Sequence, residues 1–200
     1  IETKPPSWTL TLWRICVALR KPTGKKEGSP PTKQSRKSSL RYAARTKAPR
    51  VVVDTNVWLA GLFKPKEETG AFAVLAQIKQ GRLRLCMSTD ISFELSRVIW
   101  KIGSAKHGAL MEDALRDFLW FLRRGFDHFE PTVSLEACTD HSDDNKFIDC
   151  AYEAGAVVIS KNTHLLDLDG KIKSKDGQPI RVLTPEHFMQ EVRGSRTVRL

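Results

Sequence analysis

Residues 51–63 read VVVDTNVWLAGLF. Three consecutive valines with no polar alternation are the pattern of a short strand buried on both faces of a parallel sheet. Val51–Asp54 is that strand, and it ends in a carboxylate. An ionised, unpaired group taken out of water is costly, so Asp54 needs N–H donors, a proton or a cation. Capping the helix that follows would supply the first of these, and an aspartate in that place is most often a cap.

Working outward, Ala71, Phe72, Val74, Leu75 and Ile78 recur at helical spacing, which predicts a helix ending near Gly81. LRLCM (83–87) is a second strand. Ser88 or Thr89 caps a helix with the inner stripe Ile91, Leu95, Val98 and Ile102. ALMEDALRDFLWFL gives a third helix, with Leu110, Ala114, Leu115, Phe118 and Leu122 inward. DDNKFIDCAYEAG is a helix closed by Gly155, AVVIS (156–160) a strand, and IRVL (180–183) the last strand. Thr184 caps and Pro185 opens the helix EHFMQEV. Strands alternating with helices imply an α/β sandwich, its sheet mainly parallel and its crossovers right-handed. The folded unit is expected over 50–192, with a tail over 193–200.

The flanking chain is different in kind. Residues 1–50 hold thirteen Lys/Arg against Glu2 and Glu27, a net +11, whereas the other 150 carry −1. Residues 1–49 therefore read as a disordered basic leader, either a phosphate-contacting arm for nucleic acid or a solvated extension. Its stretch WTLTLWRICVAL (8–19) is too short to span a bilayer. The first residue is not Met, which leaves truncation, processing and over-long translation all open. Cys16, Cys86, Cys138 and Cys150 form no C-x-x-C pair and read as reduced apolar residues of an intracellular protein.

Two further acids share the placement of Asp54. Glu94 lies three residues after Ile91 and four before Val98, beside the buried stripe; it needs Arg97, a proton or a cation as partner. Asp144 precedes Phe147, Ile148 and Ala151 at spacings of three, four and seven. With Asp143 or Ser142 as the cap, it falls in the first turn, near the positive helix end. Asp149 is about 140° further round and faces elsewhere. Three carboxylates at the ends of three elements repel one another unless a cation neutralises them, and oxygen-only ligation suits Mg²⁺ or Mn²⁺. Such a metal activates water for attack on phosphorus. No Walker or dinucleotide motif is present.

Four blocks in order, VVVDTNVWLAGL, STDISFELSRVI, DDNKFIDCAYEAGAVVISKNTHLL and IRVLTPEHF, resemble the PIN-domain family of metal-dependent ribonucleases, and most closely its branch of toxins from toxin–antitoxin pairs. The resemblance spans about residues 50–190. It implies a three-layer α/β/α sandwich, and it carries the family's catalytic and metal-binding acids onto Asp54, Glu94 and Asp144, with Thr55 and Asn56 supporting Asp54. It also implies Mg²⁺ or Mn²⁺ as cofactor, RNA as substrate and a small antitoxin protein as partner. A cytoplasmic protein without membrane contact follows, and a homodimer is allowed. The chain departs from the family after the fourth strand, where Asn162 and His164 stand in place of carboxylates. There Asn162 offers only a carbonyl oxygen, and His164 either contacts the scissile phosphate or packs in the loop. One extra residue in CTDHSDDN leaves Asp140 and Asp143 as replacements for the missing charge. The rival reading is a catalytically weak domain that binds RNA or protein. A phosphotransferase with Asp54 as nucleophile lacks the second aspartate, because Asn56 stands there.

Overall fold

The computed structural model describes residues 48–63, 69–105, 116–121, 125–139 and 141–197. The basic leader up to residue 47, the inward positions Leu110, Ala114, Leu115 and Leu122, and Asp140 lie outside these residues.

The all-valine run forms strand β1 (Arg50–Val53), with Val51, Val52 and Val53 fully buried. Helix α1 (Thr55–Phe63) follows at once, then α2 (Gly70–Lys79), β2 (Arg84–Met87) and α3 (Thr89–Ala105). Residues 116–121 are helical, and β3 is the pair Asp127–His128. A 3-10 turn (Ser142–Asp144) leads into α4 (Asn145–Ala154), β4 (Val157–Ile159), the single-turn α5 (Thr163–Leu166), β5 (Val182–Leu183) and α6 (Pro185–Thr197).

The sheet has five strands in the order β3-β2-β1-β4-β5, and every neighbouring pair is parallel. From β1 the chain winds outward to β2 and β3, then crosses back to β4 and β5. With right-handed crossovers, that reversal distributes the helices over both faces, which gives the expected α/β/α layers. It also opens a crevice between the carboxyl ends of β1 and β4, the place where open α/β sheets carry their ligands.

The caps predicted at Ser88 and Thr184 are present, whereas neither Asp143 nor Ser142 caps α4. Ser88 Oγ accepts from Ile91 N–H (3.3 Å), and Thr184 Oγ1 from His187 N–H (3.2 Å). Gly155 ends α4 in the left-handed region at φ 56°, where a side chain would add strain. Gly61 has a packing reason instead. A Cβ there would come within 2.6 Å of Leu75 Cδ1 and 3.2 Å of Ala71 O, so α1 and α2 approach as closely as they do only because it is absent.

Three elements differ from expectation. The buried stripe of α3 is Ile91, Leu95 and Ile99, with Val98 and Ile102 only partly buried, because Ile99 continues the row of every fourth residue that starts at Ile91 and Leu95, whereas Val98 steps off it. Strand β3 consists of a charged and a polar residue, with Asp127 bound to Arg84 (Oδ2 to Nε, 2.7 Å) and His128 in register with Met87; it has no apolar signal to read. Helix α6 continues to Thr197, beyond the expected end at Val192, and runs through Gly194, which a helix interior tolerates at a cost of about 1 kcal/mol relative to Ala. Cys86, Cys138 and Cys150 are buried free thiols, and burial pushes the Cys86 thiol up to about 12. No helix among the described residues is long and apolar enough to cross a membrane.

Candidate functional site

Asp54 belongs to the strand and to the helix at once. Its N–H donates to Ile159 O (3.0 Å), which extends the β1–β4 ladder by one residue, and its own carbonyl accepts from Val57 and Trp58 to start α1. The side chain is 5% exposed. Oδ1 accepts from Asn56 N–H (3.3 Å); Oδ2 accepts from Asn56 Nδ2 (2.7 Å) and Ser160 Oγ (2.5 Å). Burial raises the Asp54 pKa above its ordinary value, the Ser160 and Asn56 hydrogen bonds draw it back, and repulsion from Asp144 and Glu94 raises it again. The expected N-cap is therefore present, and Glu94 and Asp144 are near enough for their charge to be felt at the same side chain. Asn56 supports Asp54 as anticipated. Thr55 does not: its hydroxyl donates to Glu94 Oε1 (2.8 Å).

Glu94, on the second turn of α3, does not pair with Arg97. Its Oε2 forms a salt bridge with Lys146, from the first turn of α4. The same ammonium donates to the Asp143 carbonyl (2.5 Å) and lies 5.3 Å from the centre of the Phe147 ring. Arg97 is the sequence neighbour, but α4 packs against α3 and brings a second cation from 52 positions away.

Asp144 sits one position earlier than expected. Residues 142–144 make the 3-10 turn, and Asp144 is itself the residue preceding α4, at φ −81° and ψ −15° with no side-chain cap bond. Its carboxylate is thereby released from the helix, and Oδ2 accepts from Asn162 Nδ2 (2.6 Å). Asn162 caps α5, its Oδ1 accepting from His164 N–H (3.1 Å), while its own N–H donates to Ser160 Oγ (2.9 Å). The carbonyl oxygen anticipated as a support for metal-bound water is thus committed to a helix N-terminus. What Asn162 does instead is tie Asp144 to Ser160, and through Ser160 to Asp54. The His164 ring packs on His141, centroids 4.2 Å apart, which is the loop-packing alternative. Asp143 contributes its carbonyl to Lys146 and lines the adjoining groove. Asp149 turns away from Asp144, as its helical angle requires, but lines the adjoining groove with Glu94, and accepts from Leu135 N–H (2.9 Å).

Three participants were missed by sequence reasoning. Ser160 is fully buried and bonds Asp54, yet a serine closing an apolar strand looks like any strand end. Lys146 stands two residues after Asp144 but acts on Glu94. Asn145 holds the Cys138 N–H (2.7 Å), which fixes the loop before α4. Beside these residues lies a groove of about 1000 Å³ between α3, residues 130–139 and residues 142–149, walled by Phe93, Glu94, Arg97, Val133, Glu136 and Lys146 among others.

The donor set is all oxygen, from three carboxylates of which one is buried and electrostatically strained, and that chemistry fits a hard divalent cation such as Mg²⁺ or Mn²⁺. The arrangement is nevertheless satisfied by the protein's own donors. Among the described residues no group of three or more His, Cys, Asp or Glu side chains is assembled to hold a metal ion.

A family model described as the PIN domain matches residues 50–164. The uncharacterised protein MJ1680 of Methanocaldococcus jannaschii is 28% identical over 146 residues, which cover 71% of this chain and 90% of that protein. No solved structure matches the chain significantly.

Proposed function

This chain belongs to the PIN-domain family, and from that premise we propose that it is a metal-dependent endoribonuclease whose divalent cation is held by Asp54, Glu94 and Asp144. The nuclease-type fold comes with the family. The observation that carries the finer reading is the state of Asp54, a carboxylate buried at the sheet's switch point and repelled by both of the other acids. Structural carboxylates are buried against donors, not against each other.

A bound Mg²⁺ or Mn²⁺ supplies Lewis-acid polarisation of a phosphate oxygen and activates water for attack at phosphorus. The chain's own residues set the stage for it. Ser160 and Asn56 fix the plane of the Asp54 carboxylate, Thr55 holds Glu94, and Asn162 holds Asp144. Such orienting contacts keep ligand oxygens in place and limit the reorganisation that binding requires. The toxin role, with a small antitoxin protein as silencing partner, rests on the order and spacing of the four sequence blocks. Cytoplasmic residence rests on the buried, reduced cysteines.

A second reading, a catalytically weak domain that binds RNA or protein, is favoured by one observation. Asn162 stands where the family commonly has a carboxylate, and its oxygen is spent on α5. The decisive experiment is cleavage of a single-stranded RNA by purified protein in Mg²⁺, in Mn²⁺ and in chelator, beside Asp54→Asn. Metal-dependent cleavage lost in the variant supports the nuclease. Binding without cleavage under every condition supports the weak domain and sinks the catalytic reading.

A further inference from the structure

Lys146 has no part in the ribonuclease reading so far, yet its ammonium is bound to one of the three acids, Glu94. Glu94 Oε2 and the Asp143 carbonyl both receive it. Its side chain is 18% exposed, less than the 24% of the Glu94 side chain it binds. A lysine that served only as a solvated helix-surface charge would extend into water; this one folds back over Phe147 into the site.

We propose that Lys146 is an internal counter-cation for Glu94, and that a divalent cation reaches the acidic centre only by displacing it. The inference rests on the metal-site reading above and goes beyond it by assigning the control of metal affinity to a residue that is not a ligand. Three carboxylates close together need positive charge, and one ammonium answers part of that need. A metal ion carrying two charges repels the ammonium while competing for the same carboxylate oxygens. The apparent affinity for metal then falls by the fraction of molecules in which Glu94 is free. Lysine suits such a role better than arginine. Its compact ammonium rides on a flexible four-carbon stem and can withdraw into the adjoining groove, whereas a guanidinium would grip the carboxylate through two parallel hydrogen bonds.

The test is direct titration of Mn²⁺, read from the paramagnetic resonance signal of the free ion, with the full-length chain and its Lys146→Met and Lys146→Arg variants. Lys146→Met should bind Mn²⁺ roughly tenfold more tightly than wild type, since a charge close to the ion is removed. Lys146→Arg should bind no more tightly than wild type. Added to Lys146→Met, Glu94→Gln should erase the gain, because the effect runs through that carboxylate. Lys146→Met should also lower thermal stability in chelator and gain more from Mn²⁺ than wild type gains, which loss of a purely structural lysine would not produce. Unchanged or weaker Mn²⁺ binding by Lys146→Met, with the wild type binding, overturns the inference and leaves the metal site standing. No Mn²⁺ binding by wild type or any variant overturns the metal site and the inference together.

Discussion

Asp54 and Asp149 are almost equally buried, 5% and 7% exposed, and burial raises the pKa of each. Their surroundings separate them. Asp149, on α4, is answered by the Leu135 N–H and the Ser134 side chain, donors belonging to the loop it clasps, and no acid contributes to its shift. Asp54 is answered by side chains at the switch point and opposed by two carboxylates. A buried aspartate is therefore no sign of chemistry in itself. The two differ in like charge: of this pair only Asp54, where the strand order reverses, is opposed by other acids.

The largest effect that would break this contrast lies in activity. Asp54→Asn, Glu94→Gln and Asp144→Asn should each reduce metal-dependent RNA cleavage by at least about a hundredfold, the scale on which an oriented charge acts in catalysis. Asp149→Asn should stay within a few-fold of wild type. Cleavage rates measured under single-turnover conditions decide it, and equal losses at Asp149 and Asp54 would erase the distinction.

The stability effect runs the other way. Asp149→Ala strands the Leu135 N–H and should cost about 1–3 kcal/mol, read as a lowered urea midpoint. Asp54→Asn should be neutral or stabilising without metal.

The two aspartates should agree on the sign of their pH dependence, which sharpens the comparison. A carboxyl whose folded pKa is raised holds its proton more tightly in the native state. Its contribution to stability is complete below the unfolded value, about 3.9, and is lost as pH rises through the folded value. The Tm advantage of Asp54→Asn over wild type in chelator should therefore be greatest at neutral pH and shrink as pH falls toward 4. A gain that grows on acidification would mean that the hydrogen bonds from Ser160 and Asn56 outweigh burial and repulsion.

The smallest expected effect is at Asn162. Asn162→Asp replaces the donor to Asp144 by a fourth negative charge, so it should tighten Mn²⁺ by a few-fold while lowering thermal stability in chelator. Weaker metal binding by the variant would show that the Asn162–Asp144 hydrogen bond matters more than the added charge.

Most of the architecture could be read from the chain. The apolar runs of β1, β2 and β4, the helices α2, α3 and α4, and the caps at Ser88 and Thr184 are local signals with local causes, and each is present, although the buried stripe of α3 continues through Ile99 and not Val98. Strand β3 could not be read, because its two residues carry no apolar pattern and are held to the sheet edge by β2 and Arg84. The acids themselves were visible, since each borders an apolar stripe. Their partners were not. Arg97 was the near neighbour of Glu94, yet Lys146 takes the place through helix packing. Asp144 stands out in the sequence, but a cap at Asp143 or Ser142 places it inside the first turn of the helix, and the 3-10 turn that keeps it outside α4 has no local sequence signal. Ser160 and Asn162 act across the β1–β4 gap, and no spacing within one segment encodes that.

Trp58 gives the region a second use. Four residues after Asp54, its backbone N–H donates to the Asp54 carbonyl, and its fully buried indole stands edge-on to Phe121, centroids 4.9 Å apart, and to Phe118. An indole so enclosed in hydrocarbon emits at shorter wavelength than one in water. With the chain's other four tryptophans, Trp8, Trp13, Trp100 and Trp120, changed to phenylalanine, its fluorescence becomes an optical gauge fixed to the first turn beyond the carboxylate. It would follow the opening of α1 in real time, without an added label.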